Sequence, residues 1–197
     1  RSVIAAGGDP VEYAPSGAWL AVNALGVLGA GLVLLGLPAL YGRIAGAGGK
    51  SALAGIVLLG LAWLFFGWFL SLYALLVQPW LAEQAPTLVA ADAALPAGLL
   101  AIFVAALLAW LVGALLLAVP FVRGHVRPRW VGYLLILAGV WMAVGNLVIA
   151  PSGPASNLVL NLLSNLAPVL LMVPLGYLGY QLWAENGENP EGVTAAA

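Results

Sequence analysis

The sequence has no cysteine and one histidine, His125. Disulfides, thiolate metal centres and cysteine nucleophiles are therefore absent. A lone histidine cannot give a two-histidine haem within one chain, and it leaves too few ligands for zinc. Charge is scarce as well. Only 7% of residues are charged, against about 25% in soluble domains, while 64% are hydrophobic. A chain of 197 residues cannot hide that much apolar surface from water, so its expected solvent is lipid. The net charge of −1 offers no footprint for nucleic acid.

The few charges divide the chain. Glu12 and Arg43 bound one charge-free stretch, Lys50 and Glu83 a second, Asp92 and Arg123 a third, and Arg129 and Glu185 a fourth. A membrane helix takes roughly 20 apolar residues. The first three stretches each fit one span. The fourth fits two, divided by the turn-forming "PSGPAS" at 151–156. The expectation is an all-α, polytopic transmembrane bundle with spans near 17–41, 52–78, 96–121, 130–150 and 157–183. Residues 1–16 then form an extracytoplasmic segment, 17–183 the five-helix domain, and 184–197 an acidic, flexible tail. A β-barrel is excluded, because runs such as "GLLAIFVAALLAWLVGALLLAV" (98–119) do not alternate polar with apolar. The chain opens on Arg1 rather than Met, so an upstream piece is expected to have been removed or not included. The first apolar run exceeds a signal-peptide core and reads as a true span.

Lys and Arg in short loops set orientation. Five of the six basic residues fall in two loops on one side: Arg43 and Lys50, then Arg123, Arg127 and Arg129. Those loops are expected in the cytoplasm, near lipid phosphates, with the N-terminus outside and the C-terminus inside. Trp19, Trp80, Trp130 and Trp183 fall near span ends, where an indole N–H can meet headgroups. Trp63, Trp68, Trp110 and Trp141 fall within spans and read as packing or lipid contacts. The connection 78–96 is mildly amphipathic and bounded by prolines, which suits a short helix lying along the outer surface.

"NLVLNLLSNLAP" (157–168) carries an amide every fourth residue. Each step of four advances about 40° around a helix, so Asn157, Asn161 and Asn165 share a narrow stripe with Ser164 beside them. Pro168 withholds a donor from the carbonyl of Ser164, and an amide could supply one. Asn23 and Asn146 belong to the same half of the spans. Three readings stay open. The amides join helices by hydrogen bonds, line a polar pocket open to the outside, or contact a partner chain.

Other motifs carry less. "AGAGGKS" (45–51) ends like a phosphate-binding loop, but the required first glycine is Ile44 and no strand precedes it. It reads as a basic turn between helices. No span holds Asp, Glu, Lys or Arg, which disfavours proton relays, voltage sensing and intramembrane acid–base catalysis. No metal site and no cofactor is expected. Gly26, Gly29, Gly31, Gly36, Gly55, Gly60, Gly67, Gly132, Gly139 and Gly145 would let helices approach closely, within one bundle or across a dimer face.

At "PWLAEQAPTL", "VRPRWVGYLL" and "LGYLGYQLW" the chain resembles small multi-pass bacterial and archaeal integral membrane proteins to which no function is assigned. The resemblance implies a bacterial or archaeal inner membrane and transfers no residue roles. The expected function is non-enzymatic: packing or assembly with other membrane components, with the bilayer and other subunits or copies of itself as partners. The alternative is an oligomeric channel or facilitator for a small neutral solute, its mouth lined by the amides.

Overall fold

The computed structural model describes residues 10–88, 96–126, 128–149, 163 and 166–188. Among them there is no strand, and five helical stretches are long and apolar enough to cross a membrane: Gly17–Gly42, Ile44–Gln84, Ala97–Val122, Arg129–Leu147 and Leu166–Ala184.

The first two stretches form one nearly unbroken run. Ser16 caps its start, its hydroxyl accepting from the Trp19 amide at 3.3 Å. Residues 17–63 stay helical except at Gly49, where φ is 52° and ψ is −135°. We call the limb before the break α1 (17–48) and the limb after it α2 (50–84). Gly26 faces Ser71, Ala30 faces Gly67, and Leu37 faces Gly60. These pairs are symmetric about Gly48 and Gly49, so the chain reverses there and the limbs run antiparallel. Ser51 stabilises the reversal by donating its hydroxyl to the Gly48 carbonyl at 2.7 Å. The sequence suggested a loose turn; instead helix continues almost to the tip, because one glycine in a backbone region closed to other residues suffices.

α2 alternates between two windings. Leu64–Phe69 and Tyr73–Val77 are π-helical, and Leu70–Leu72 and Gln78–Gln84 are α-helical. The surface helix expected within 78–96 is, up to Gln84, a direct continuation of α2. At 1.5 Å per residue α2 is about 50 Å long, well beyond the ~30 Å hydrocarbon core of a bilayer. Its far end meets a short turn of helix at Pro10–Tyr13, with Ala14 and Ala82 buried between them beside Trp19 and Leu81.

α3 (Ala97–Val122) closes on Gly124, whose amide donates to the Phe121 carbonyl and whose φ of 79° turns the chain after it back toward the helix end. The Pro120 carbonyl then accepts from the amides of both His125 and Val126. α4 (Arg129–Val144) passes into a π-helical turn at Gly145–Ile149. α5 (Leu166–Glu188) runs on into the segment expected as tail.

Each helix packs on its neighbours in sequence. At the α2–α3 crossing, a Cβ on Gly55 would lie 2.8 Å from the Leu117 nitrogen, and one on Gly113 would lie 2.7 Å from the Leu59 nitrogen. Backbone meets backbone from both sides. Gly132 and Gly139 seat α4 on α3, against the side chains of Phe121, Val122 and Ala114. Trp130 packs against Tyr177 between α4 and α5, ring centroids 4.9 Å apart and planes tilted by 59°. One core results, with Leu59, Trp110, Leu117, Phe121, Leu135 and Leu171 almost fully buried. Among the described residues no polar or charged residue is buried. The glycines divide. Gly26, Gly55, Gly60, Gly67, Gly132 and Gly139 face other helices, whereas an added Cβ on Gly29, Gly31 or Gly36 would meet nothing within 4 Å.

Candidate functional site

The amides come first, since the sequence points to them. Asn23 donates its Nδ2 to the Trp19 carbonyl at 2.9 Å, and Asn146 donates to the Met142 carbonyl at 2.9 Å. Both bonds reach back one turn along the residue's own helix. Neither crosses to another helix. Asn157, Asn161, Ser164 and Asn165 lie outside the described residues.

Two tryptophans make bonds between segments, one of the roles left open for the amides. In α2 the Gln78 amide binds the Tyr73 carbonyl, five residues back, as π winding requires. The carbonyl of Ala74 would next take the amide of residue 79, which is a proline and has none. The Trp19 indole donates to it instead, at 3.2 Å, from α1. Trp19 therefore ties two helices together, a correction to its expected role of meeting headgroups. Trp141 donates its indole to the Leu163 carbonyl at 2.7 Å, linking α4 to the approach to α5. It too is more than a packing residue. The sequence carried part of the signal for the first bond: proline at 79 leaves a carbonyl about one turn back without a donor, and the π winding decides that it is Ala74 rather than Leu75. Trp80 and Trp183 are exposed, as span-end residues should be. Trp63 and Trp110 are buried against each other at 5.3 Å, with Phe66 edge-on to Trp110.

The spacing of amides gave no hint of a cleft between α1 and α5. It has a volume of about 250 Å³ and is lined by Leu32, Gly36 and Leu40 on one side and Leu175, Gly179 and Leu182 on the other. Every lining side chain is apolar or absent. Gly36, Gly176 and Gly179 create the space, because a Cβ on any of them would meet nothing within 4 Å. Those glycines are far apart in sequence, and only the closing of the bundle brings them together.

The basic loops converge. A Cβ on Gly48 would lie 3.4 Å from Pro120 Cγ, so the α1–α2 turn sits beside the end of α3. Lys50, Arg123, His125 and Arg129 are exposed at this end, while Glu12 and Glu83 are exposed at the opposite one. Lys50, Arg123 and Arg129 form no ion pair among the described residues. The Arg129 guanidinium folds over Gly124, its Nη2 2.9 Å from where a Cβ would stand. Arg43 lies in α1 one turn beyond Leu40, and Arg127 lies outside the described residues. No group of three His, Cys, Asp or Glu residues that could hold a metal ion occurs among the described residues.

An arrangement of this kind can bind hydrocarbon along its length and anions at one end. Comparison with protein-family models, with curated proteins and with solved structures finds no match to this chain.

Proposed function

We propose that this chain is a multi-pass protein of a bacterial or archaeal inner membrane. Its N-terminus lies outside, and its basic turns and C-terminus lie in the cytoplasm. Its role is assembly: a non-enzymatic component that packs against other membrane helices. The convergence of Lys50, Arg123 and Arg129 at one end supports the orientation, since anionic lipid and the positive-inside bias both favour that end in the cytoplasm.

One observation carries the assembly reading. α1 is held by the bundle on one side only, and its other side is exposed along its length. Leu25, Leu28, Leu32 and Leu35 follow a three–four–three spacing and are 65–77% exposed, with Gly29 beside them; Leu32 also borders the cleft toward α5. That spacing is the seam of a helix pair, and glycine beside it lets two backbones approach closely. A second copy of α1 fits this seam, because a two-fold pair places the same patch on both partners. The solute-path alternative draws no support from Asn23 and Asn146, whose amides stay on their own helices.

The absence of native cysteine makes the test clean. Leu28→Cys, oxidised in native membranes, should give a disulfide-linked dimer, and Gly29→Leu added to it should abolish the dimer. Leu108→Cys, midway along α3 and 55% exposed against 65% for Leu28, should stay monomeric. Equal cross-linking at 28 and 108 would refute assembly through α1. For orientation, an impermeant maleimide applied to intact cells should label Glu12→Cys and spare Lys50→Cys; the reverse pattern overturns it.

A further inference from the structure

We propose that the cleft between α1 and α5 holds one acyl chain of an anionic phospholipid, its phosphate at the end carrying Lys50, Arg123 and Arg129. The inference rests on the membrane placement above but not on assembly through α1.

Depth supports it first. The cleft spans Leu32 to Leu40 on α1, about 12 Å of helix, close to the ~15 Å of hydrocarbon in one leaflet. It lies wholly in the half of α1 that leads into the Gly49 reversal, so a chain filling it belongs to the leaflet whose headgroups meet the basic end. Width comes second. A helix with its side chains is 10–12 Å across, too thick for a cleft of about 250 Å³, whereas a single hydrocarbon chain is slender enough. Gly36, Gly176 and Gly179 leave open a lining that any larger residue would fill. Charge is the third argument and selects the headgroup. Lys50, Arg123 and Arg129 form no ion pair among the described residues; Glu12 and Glu83 are at the far end, and of the acids described only Glu185 and Glu188, at the close of α5, run toward the basic one. An anionic headgroup complements this asymmetry; a zwitterionic one gains less.

The test uses the full chain in mild detergent, equilibrated with equimolar phosphatidylglycerol and phosphatidylcholine of identical acyl chains, and read by native mass spectrometry. One phosphatidylglycerol per chain should be retained, in roughly fivefold or greater excess over phosphatidylcholine. Gly176→Leu and Gly179→Leu, each checked for monodispersity, should reduce retention to background. Replacing Lys50, Arg123 and Arg129 by Gln together should erase the headgroup preference and leave one lipid bound. Equal retention of the two lipids by the parent chain, or retention unchanged by both cleft-filling variants, overturns the proposal. The parent measurement decides even if a variant fails to fold. Solubility of the chain in plain buffer would instead overturn the membrane placement itself.

Discussion

Replacing Trp19 by Phe keeps an aromatic ring and part of its packing on Ala14 and Ala82, and the Ala74 carbonyl loses its indole donor. No main-chain amide can replace it, because the Gln78 amide is committed to Tyr73 and residue 79 is proline. Ala74 is 92% buried, being 8% exposed, so water is not a ready substitute. An orphaned buried carbonyl costs about 1–3 kcal/mol. Side-chain hydrogen bonds in membrane bundles have measured nearer ~0.6 and at most ~1.7 kcal/mol, because the unfolded chain in the bilayer also finds partners. The expected loss is therefore about 1–2 kcal/mol. It should be measured by reversible unfolding in mixed detergent, followed by the far-ultraviolet helix signal. Asn23→Leu is the contrast. The Trp19 carbonyl keeps its main-chain partner when the amide goes, so that change should cost roughly 0.5 kcal/mol or less. The cycle closes with Pro79→Ala, which gives residue 79 an N–H five residues after Ala74, matching the winding already used by Gln78. In that background Trp19→Phe should cost markedly less. An equal cost in both backgrounds, or no cost in the first, would refute the reasoning.

The remaining predictions concern backbone approach and the second indole. Gly113→Leu drives a side chain into the α2 backbone and should lower stability by about 3 kcal/mol or more, whereas Gly29→Leu enters open space and should change it little; unfolding in the same detergent series separates them. Gly49→Ala should cost about 1–3 kcal/mol, because its φ and ψ lie where only glycine sits without strain; a melting temperature within a degree of the parent would contradict this. Trp141→Phe should loosen α5 from α4, raising hydrogen exchange near residues 166–170 while the α2–α3 amides keep their protection.

Much of this protein is legible from residue types alone. Scarcity of charge, placed at intervals matching a bilayer's thickness, sets five apolar helices and their approximate limits, because each requirement is local and one-dimensional. The turn at 42–51 is the instructive miss. Its glycines suggested a loose connection, yet one of them suffices for reversal and the others remain helical or face Pro120 and Ala52. The division of glycines into packing and open sets was equally hidden, since it depends on which neighbour each helix meets.

The amides show the same limit from the other side. Asn23 and Asn146 look alike in sequence to residues that bridge helices, but each lies within reach of its own preceding turn. The Trp19 indole, standing across from a proline-orphaned carbonyl, bridges instead. Composition determined the apolar character, the number of long apolar helices and the end that gathers cations. Tertiary structure alone decided the contacts between helices and the hollow of Gly36, Gly176 and Gly179. A helix's own pattern fixes which residues share a face. What stands opposite that face is set by the turns and by the close approach of backbones elsewhere in the bundle.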